Sequence, residues 1–190
     1  MAILTRDEIK ELGFASIGNN VLISSKASFY GTSKIHIGNN VRIDDFCVLS
    51  AGDGGIDIDD YVHIAVYSSL IGYAKIELGK YCNISSRVSI YSSSDDFSGE
   101  FMTNPMVDEL FTNVTKQPVR LAEHVVVGCG SVILPGVELN TGCAVGSLSL
   151  VKNSFNEYTI IAGTPAKVIA NRSRKLEKIQ LQFESFYNRE

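Results

Sequence analysis

An apolar residue returns at every sixth position through most of this 190-residue chain. A six-residue period matches neither the 3.6-residue turn of an α-helix nor the two-residue alternation of a strand, and a short fixed repeat is typical of a solenoid. The register shifts by a few positions after residues 29, 49 and 70, and the repeat stops between residues 90 and 121. The recurring residues are Ile17, Ile23, Phe29, Ile37, Ile43, Leu49, Ile58, Ile64, Leu70, Leu78, Ile84, Ile90, Leu121, Val127, Ile133, Leu139, Val145 and Val151.

The residue two places before each repeat position is also small or apolar, as Val41, Cys82 and Val125 illustrate. Residues i−2 and i point to the same face of a strand, so each hexad predicts a three-residue strand with two inward side chains. Glycine and asparagine follow several repeat positions, which suits corners. Three hexads close one triangular turn, and the sequence therefore predicts an all-β solenoid of about six coils.

The repeat also sets the expected boundaries within a single domain. Residues 1–14 are predicted to hold a short N-terminal helix, residues 15–90 and 119–152 the β-helix coils, and residues 91–118 a protruding loop. Residues 165–190 carry apolar side chains at helical spacing and are predicted to form a C-terminal helix.

Composition limits the classes of function. The net charge of −4 argues against nucleic acid as a partner, because backbone binding needs a concentrated basic surface. No apolar run is long enough to cross a membrane, and the first residues lack the apolar stretch of a signal peptide, so we expect a cytoplasmic protein without membrane insertion. The four cysteines have no CxxC spacing, three of them fall at inward positions, and no bound metal is expected.

The last coils carry a more specific motif. Residues 128–137 read Gly-Cys-Gly-Ser-Val-Ile-Leu-Pro-Gly-Val, residues 145–152 read Val-Gly-Ser-Leu-Ser-Leu-Val-Lys, and residues 162–169 read Ala-Gly-Thr-Pro-Ala-Lys-Val-Ile. This section resembles the closing part of the hexapeptide-repeat acyltransferases. The resemblance implies a left-handed parallel β-helix, an exception to the usual right-handed crossover, and a homotrimer that binds acetyl-CoA or a related thioester in clefts between subunits.

The interruption of the repeat is the place where we expect the acceptor chemistry. In the sugar O-acetyltransferase branch of the family, a histidine just before a similar loop is the general base, and Asp95 stands at the matching place here. An attacking alcohol needs a base of near-neutral pKa, whereas a carboxylate can hold the ammonium form of an amine. We therefore predict N-acetylation of an amino sugar, with Asp95 or Asp96 binding the amine and Glu100 as a weaker candidate. Resemblance to family members of this length with an acidic loop further implies that the sugar is nucleotide-linked and serves surface polysaccharide synthesis. Residues 95–99 also have good turn composition, so a role in fixing the loop stays open.

The same resemblance suggests the remaining site residues. Backbone N–H groups beside small side chains suit the amides and thioester of the pantetheine arm, and basic side chains suit the phosphates of CoA. The candidate acceptor-binding residues are Asn83, Ser85, Tyr91 and Glu100, and the candidate coenzyme-binding residues are Gly128, Ser131, Gly146, Ser147, Lys152, Thr164, Lys167 and Arg172.

Other functions stay open. If the acceptor is a sugar hydroxyl, His63 becomes the candidate base, because it is predicted to face outward between Arg42 and Asn83 of neighbouring coils. A non-catalytic scaffold is the alternative from a different class, since solenoids also serve as rigid assembly surfaces. A zinc-dependent carbonic anhydrase built on the same solenoid is not supported, because successive histidines are 27 and 61 residues apart.

Overall fold

The computed structural model describes residues 2–187, which form a triangular parallel β-helix with a helix near each end. Face 1 of the prism contains β1 (Ser16–Ile17), β4 (Ile35–Ile37), β7 (Ile56–Ile58), β10 (Ile76–Leu78), β15 (Val119–Leu121) and β18 (Glu138–Leu139). Face 2 contains β2 (Leu22–Ile23), β5 (Arg42–Ile43), β8 (His63–Ile64), β11 (Asn83–Ile84), β16 (Val126–Val127), β19 (Ala144–Val145), β21 (Thr159–Gly163) and β22 (Ala166–Asn171). Face 3 contains β3 (Ser28–Tyr30), β6 (Val48–Ala51), β9 (Ser69–Gly72), β12 (Ser89–Tyr91), β17 (Val132–Ile133) and β20 (Leu150–Val151).

The pairing of the strands confirms the six-residue repeat. On face 2, Ile43 pairs in register with Ile64, and Ile64 pairs with Ile84, so that each repeat residue lies over its equivalent in the next coil. All three side chains are fully buried. Burying one such side chain stabilises the fold by about 1.5–3 kcal/mol, and the stacked aliphatic residues therefore account for the core.

The coils continue further than the sequence analysis predicted. Phe155 pairs with Leu139, and Ile161 of β21 lies in register with Val145, which adds part of a seventh coil beyond residue 152. Val151 and Phe155 are four residues apart rather than six, so a search for a six-residue period does not find the coil that begins there.

The predicted C-terminal helix begins later than residue 165. The chain turns back after β21, and β22 pairs antiparallel with it, because Val168 and Ile169 favour a strand after the Gly-Thr-Pro turn. Helix α2 (Lys175–Tyr187) follows and packs on the corner between faces 1 and 2, where the Phe183 ring lies 5.3 Å from that of Tyr61. The last three residues of the predicted helix, 188–190, lie outside the described part of the chain.

The N-terminal helix follows its sequence signals. Helix α1 (Arg6–Glu11) begins after Thr5, whose hydroxyl accepts from the N–H of Glu8 while the Glu8 carboxylate accepts from the N–H of Thr5. This capping box satisfies two N–H groups that a helix start otherwise leaves free. Ile9 is buried in the core, so the helix covers the first coil. No helix in the range 2–187 has the length and apolar character to span a membrane.

The three faces differ in the chemistry of their outward side chains. Face 1 is charged and face 2 is mixed, whereas the outward residues within the strands of face 3 carry no charge, and Lys152 follows directly after β20. The outward residues of face 1 include His36, Asp57, Glu77, Arg120 and Glu138, and those of face 2 include Arg42, His63, Asn83, Val126, Ala144 and Ile160. Those of face 3 are Ser28, Tyr30, Val48, Ser50, Ser69, Ile71, Ser89, Tyr91, Val132 and Leu150.

Candidate active site

The interruption of the repeat forms a protruding loop between β12 and β15. Its two ends pair as a short antiparallel ribbon, β13 (Ser93–Ser94) with β14 (Thr115–Lys116), and a 3-10 helix, Glu109–Phe111, lies between them. The loop and the corner between faces 3 and 1 enclose a cavity of about 490 Å³. Tyr73, Asp95 and Lys116 are among the residues that line this cavity.

Asp95 presents a free carboxylate to the cavity. Its side chain is exposed and lines the cavity wall. Within residues 2–187, the backbone carbonyl of Asp95 accepts from the Ser94 hydroxyl at 3.3 Å, but the carboxylate itself has no hydrogen-bond partner. A carboxylate in this position is able to bind a cationic amine.

Asp96 is engaged in holding the loop. One of its carboxylate oxygens accepts from the N–H groups of Ser98 and Gly99, each at 3.0 Å, and the Ser98 hydroxyl donates to the same carboxylate. The Ser98 hydroxyl, together with these N–H groups, keeps the pKa of Asp96 below its ordinary value, although desolvation opposes the effect. The turn-fixing role considered for this segment therefore describes Asp96, and Asp95 is the better candidate for the amine.

A chain of polar contacts supports the opposite wall of the cavity. Lys34 donates to Asp53 at 2.6 Å, and the Tyr73 hydroxyl donates to the other oxygen of the same carboxylate. The ammonium group of Lys116 lies 3.8 Å from the centroid of the Tyr73 ring, a cation–π contact. The hydrogen bond to Asp53 raises the pKa of Tyr73. Tyr73 and Lys116 are not evident as site residues from the sequence, because their contact depends on the course of the loop.

His63 lies on face 2, away from the loop. Its Nε2 is 2.9 Å from a carboxylate oxygen of Asp44, and its Nδ1 is 3.2 Å from the side-chain oxygen of Asn83. Burial opposes ionisation of Asp44, but its hydrogen bonds to His63 and Arg42 outweigh burial and lower its pKa. Both ring nitrogens of His63 thus already have a hydrogen-bond partner within the chain, Asp44 at Nε2 and Asn83 at Nδ1. This arrangement does not favour the alternative in which His63 activates a sugar hydroxyl.

The remaining acceptor-site candidates are dispersed. Tyr91 faces outward on face 3, and the exposed Glu100 lies in the loop, but neither lines the cavity with Asp95. Asn83 is on face 2 beside His63. Ser85 stands on the corner between faces 2 and 3, one coil before the glycine-rich motif. Within a single chain, none of these four residues lines the cavity with Asp95.

Ser85 belongs to a continuous edge of the prism that we call the 2–3 edge. It is formed by the corner residues of successive coils, 44–46, 65–67, 85–87, 128–130 and 146–148. The last two corners carry Gly128, Gly146 and Ser147. Thr164 is next to them, because its hydroxyl donates to the carbonyl of Leu148 at 3.4 Å. Four predicted coenzyme-binding residues thus share one edge with Ser85.

Ser131 does not belong to this exposed surface. Its side chain is fully buried, and its hydroxyl donates to the carbonyl of Gly146 at 3.1 Å. The hydroxyl joins adjacent coils from within the prism and is not available to a coenzyme. The prediction for Ser131 concerned its backbone N–H, which lies 3.4 Å from the carbonyl oxygen of Gly128, and a contact of this N–H with a coenzyme stays a prediction.

The basic candidates also separate. Lys152 and Lys167 are exposed. The guanidinium group of Arg172 donates instead to the carbonyls of His124 and Gly142, each at 2.9 Å, on the corner between faces 1 and 2. These bonds hold the segment after β22 against the coils. The Nη1 atom of Arg172 is therefore engaged within the chain, and phosphate contacts of Arg172 and of the two lysines stay predictions.

Gly128 provides a test that separates a structural role from a ligand role. A Cβ atom at this position would lie 2.6 Å from the backbone nitrogen of Ser147 in the next coil. We expect Gly128→Ala to force the coils apart and to lower the free energy of unfolding by about 1–3 kcal/mol. Thermal unfolding of the ligand-free protein measures this change. Unaltered stability combined with weaker CoA binding would contradict the structural explanation.

The cysteines lie apart from one another in the described part of the chain. Cys47, Cys82 and Cys143 are buried in the coils, as predicted. Burial raises the pKa of the Cys47 thiol to about 11 and that of Cys82 to about 12, so neither is a thiolate near neutral pH. Across the described range, 2–187, no group of three or more His, Cys, Asp or Glu side chains is placed to hold a metal ion.

Comparison with known sequences places the chain among acyltransferases. No protein-family model matches it. The chain is 55% identical over 183 residues to the dTDP-4-amino-4,6-dideoxy-D-glucose acyltransferase of Escherichia coli, a match that covers 96% of this chain and 95% of that protein. It is 32% identical over 139 residues to a putative lipopolysaccharide biosynthesis O-acetyl transferase of Escherichia coli K12, covering 70% of this chain and 66% of that protein.

Solved structures agree with the sequence comparison. AntD, an N-acyltransferase from Bacillus cereus in complex with dTDP and 3-hydroxybutyryl-CoA, superposes with a TM-score of 0.95 at 42% identity, over 99% of this chain and 100% of that chain. A hexapeptide-repeat acetyltransferase from Vibrio cholerae in complex with acetyl coenzyme A, with a TM-score of 0.57 at 18% identity over 88% of this chain and 75% of that one, shares the fold. The solenoid is thus a left-handed parallel β-helix, and the chain belongs to the hexapeptide-repeat acyltransferases.

Proposed function

We propose that this protein transfers an acyl group from acyl-CoA to the amino group of dTDP-4-amino-4,6-dideoxyglucose or a closely similar nucleotide amino sugar. The observation that carries the proposal is the free carboxylate of Asp95 beside the loop cavity. The Escherichia coli relative is named for this acceptor, and AntD has been solved with the same dTDP-sugar and coenzyme A. That the product serves surface polysaccharide, and that the donor is acetyl-CoA rather than a longer thioester, stay predictions.

The chemistry of an amine acceptor suits a carboxylate. The ammonium form of the sugar binds at Asp95 and loses one proton to solvent, and the nitrogen of the resulting amine then attacks the carbonyl carbon of the thioester. The C–S bond breaks as the C–N bond becomes an amide, and the departing thiolate takes up a proton released by the amine. Asp95 therefore has to bind and orient the nitrogen rather than act as a strong base, which agrees with the low basicity of an aspartate.

The solved AntD variants support the choice of Asp95 and Ser85. Structures have been determined in which one aspartate of AntD is replaced by asparagine or alanine, and one serine by alanine, cysteine or threonine. These two AntD positions are ten residues apart, as are Ser85 and Asp95 here. We infer that Ser85 and Asp95 serve one reaction centre.

Ser85 and Asp95 stand at opposite edges of face 3 in one chain. Strand residues advance about 3.3 Å each, so the two positions are roughly 15–20 Å apart. A second copy that packs on face 3 would bring its own loop to the 2–3 edge. The absence of charge from the outward residues of strands β3, β6, β9, β12, β17 and β20 suits such a contact, because apolar and small residues lose little when they are buried. We therefore propose a homotrimer in which Asp95 of the partner subunit completes the site at Ser85.

A direct assay tests the proposed reaction. The protein is incubated with acetyl-CoA or 3-hydroxybutyryl-CoA and dTDP-4-amino-4,6-dideoxyglucose, and the release of free thiol is followed together with the mass of the product. The matched control is dTDP-glucose, which carries a hydroxyl group in place of the amine. Amide formation with the amino sugar and no ester with the control are expected. Turnover of the hydroxyl sugar alone would contradict the proposal.

A further inference from the structure

The loop cavity contains a cation that does not pair with the carboxylates beside it. Among the described residues that line the cavity, Asp95 and Glu109 are acidic and Lys116 is basic. Five lysines elsewhere in residues 2–187 form salt bridges with aspartates. The ammonium group of Lys116, by contrast, has no carboxylate of the described chain within salt-bridge distance, although two of them share its cavity.

Lys116 and Asp95 are near enough in the fold to form such a pair. Lys116 lies opposite Ser93 in the ribbon of β13 and β14. Asp95 comes directly after β13 and two residues beyond Ser93, which is the diagonal position relative to Lys116. Diagonal neighbours in an antiparallel pair are about 7–8 Å apart, within reach of a long side chain. The separation of the two charges therefore has to have a cause in the surrounding structure.

The ring of Tyr73 provides that cause. The ammonium group of Lys116 lies 3.8 Å from the ring centroid, and a cation over the face of a tyrosine is attracted to it. The ring is fixed at both ends of its residue, because its hydroxyl donates to Asp53 and the backbone N–H of Tyr73 donates to the Ser93 hydroxyl at 3.3 Å. Asp53 is itself held by Lys34 at 2.6 Å. The coils thus present a rigid aromatic face to the lysine of the loop.

We infer that Tyr73 is a positioning residue that holds Lys116 away from Asp95 and so keeps the Asp95 carboxylate available to the ammonium group of the acceptor. This role rests on the function proposed above. Without the ring, Lys116 loses its partner and pairs with the free carboxylate beside it. The acceptor then has to displace an ion pair before it binds. That competition weakens binding of the amino sugar but leaves the acyl transfer itself unchanged.

The first experiment removes the ring. In Tyr73→Leu we expect the KM for the amino sugar to rise about 3- to 10-fold, with kcat at saturating acceptor and the KM for acyl-CoA close to the wild-type values. Tyr73→Phe keeps the aromatic face and loses only the bond to Asp53, so its KM is expected to stay close to that of the wild-type protein. Tyr73 is 42% exposed, and its replacement should leave the coil folded. Melting temperatures and light scattering check the fold and the assembly.

The second experiment tests whether Lys116 causes the defect. In Tyr73→Leu/Lys116→Met the competing cation is absent, and the new leucine and methionine are able to pack on each other, so the KM for the amino sugar is expected to return towards the wild-type value. A purely structural role of the contact predicts no such recovery, because the second substitution removes a further part of it.

Lys75→Met is the matched control for this rescue. It also removes a lysine close to Tyr73, but the Lys75 ammonium group pairs with Asp57 on face 1 at 2.6 Å. In the Tyr73→Leu background it is expected to leave the raised KM as it is. Equal recovery with Lys75→Met and Lys116→Met would mean that total charge governs acceptor binding, which overturns the role of Tyr73.

A crystal structure of Tyr73→Leu tests the inference without an activity measurement. The Lys116 ammonium group is expected within about 4 Å of the Asp95 carboxylate, the distance of a salt bridge. A lysine that pairs with Glu109, or that stays where it is in the wild-type chain, would show that Tyr73 does not control the access of Lys116 to Asp95.

The outcomes separate this inference from the proposed function. If the wild-type protein acylates the amino sugar but Tyr73→Leu keeps the wild-type KM, or if Lys116→Met deepens its defect, the positioning role fails and the proposed reaction stands. If the wild-type protein does not acylate the sugar, the proposed function fails. The position of Lys116 in the crystal structure of Tyr73→Leu then still decides whether the ring holds it away from Asp95.

Discussion

Replacing Asp95 by asparagine is expected to lower kcat about 100-fold or more, while the affinity for acyl-CoA stays close to that of the wild-type protein. Asparagine has nearly the same shape as aspartate but no charge, so it cannot hold and orient the ammonium group through a charge-assisted hydrogen bond. The carboxylate has no hydrogen-bond partner within the described chain, and its loss should therefore leave the loop intact. Free-thiol release at saturating donor measures kcat, and calorimetry with CoA measures the affinity of the donor site.

Asp96→Asn is the matched control for this prediction. Asp96 accepts from the N–H groups of Ser98 and Gly99, and an amide oxygen is still able to accept those bonds. Turnover close to that of the wild-type protein is therefore expected, with at most a small loss of thermal stability. Equal losses of kcat in the two variants would mean that the loop conformation, rather than the Asp95 charge, limits the reaction.

Placing a charge on face 3 is expected to abolish both assembly and activity. In Ile71→Glu, a carboxylate would enter the proposed subunit contact without a partner, and an uncompensated buried charge costs about 3–5 kcal/mol. Ile71 points outward from β9, so the core of the separated chain should remain folded. Light scattering measures the mass, and thiol release measures the activity. Ser16→Glu on the charged face 1 is the control, and it is expected to change neither.

Mixing two inactive variants tests whether the site is shared between subunits. Asp95→Asn removes the carboxylate, and Ser85→Trp fills the 2–3 edge with a bulky side chain. If each site combines Ser85 of one subunit with Asp95 of the next, equal mixing after reversible dissociation should restore activity at about a quarter of the sites. A mixture that stays inactive, although mass spectrometry shows mixed trimers, would contradict the shared site.

The core residues could be predicted because the same short sequence pattern marks them in every coil. Each apolar residue of the repeat lies over its equivalent in the next coil, as Ile43, Ile64 and Ile84 do, and a constant period is enough to identify them. The seventh coil was missed because its first interval is shorter by two residues. The C-terminal strand was missed because apolar spacing alone does not distinguish a helix from a hairpin when Val168 and Ile169 are close to a turn.

The candidate site was only partly predictable. The sequence pointed to the pair Asp95 and Asp96, but the choice between them depends on which carboxylate the loop backbone uses. The internal contacts of Arg172 could not be predicted, because its partners are backbone carbonyls of residues distant in the chain, which no sequence pattern reveals. The corners between faces 2 and 3 did show a periodic pattern in the sequence, because large or basic side chains recur there at the coil interval of 20 or 21 residues, at Phe46, Tyr67 and Arg87. That signal lies in the corners, whereas the sequence analysis followed the inward residues.

The reversal of direction between β21 and β22 also opposes end-to-end association of the solenoid with other copies. Parallel coils offer unpaired backbone groups at their last turn, and an uncovered end of this kind is a template for fibre formation. Strand β22 pairs antiparallel with β21, so it occupies that end of face 2 with a strand of the wrong polarity for another coil. At the opposite end, α1 covers the first coil through Ile9. Strand β22 at one end and helix α1 at the other thus oppose the stacking of one solenoid on another into a filament.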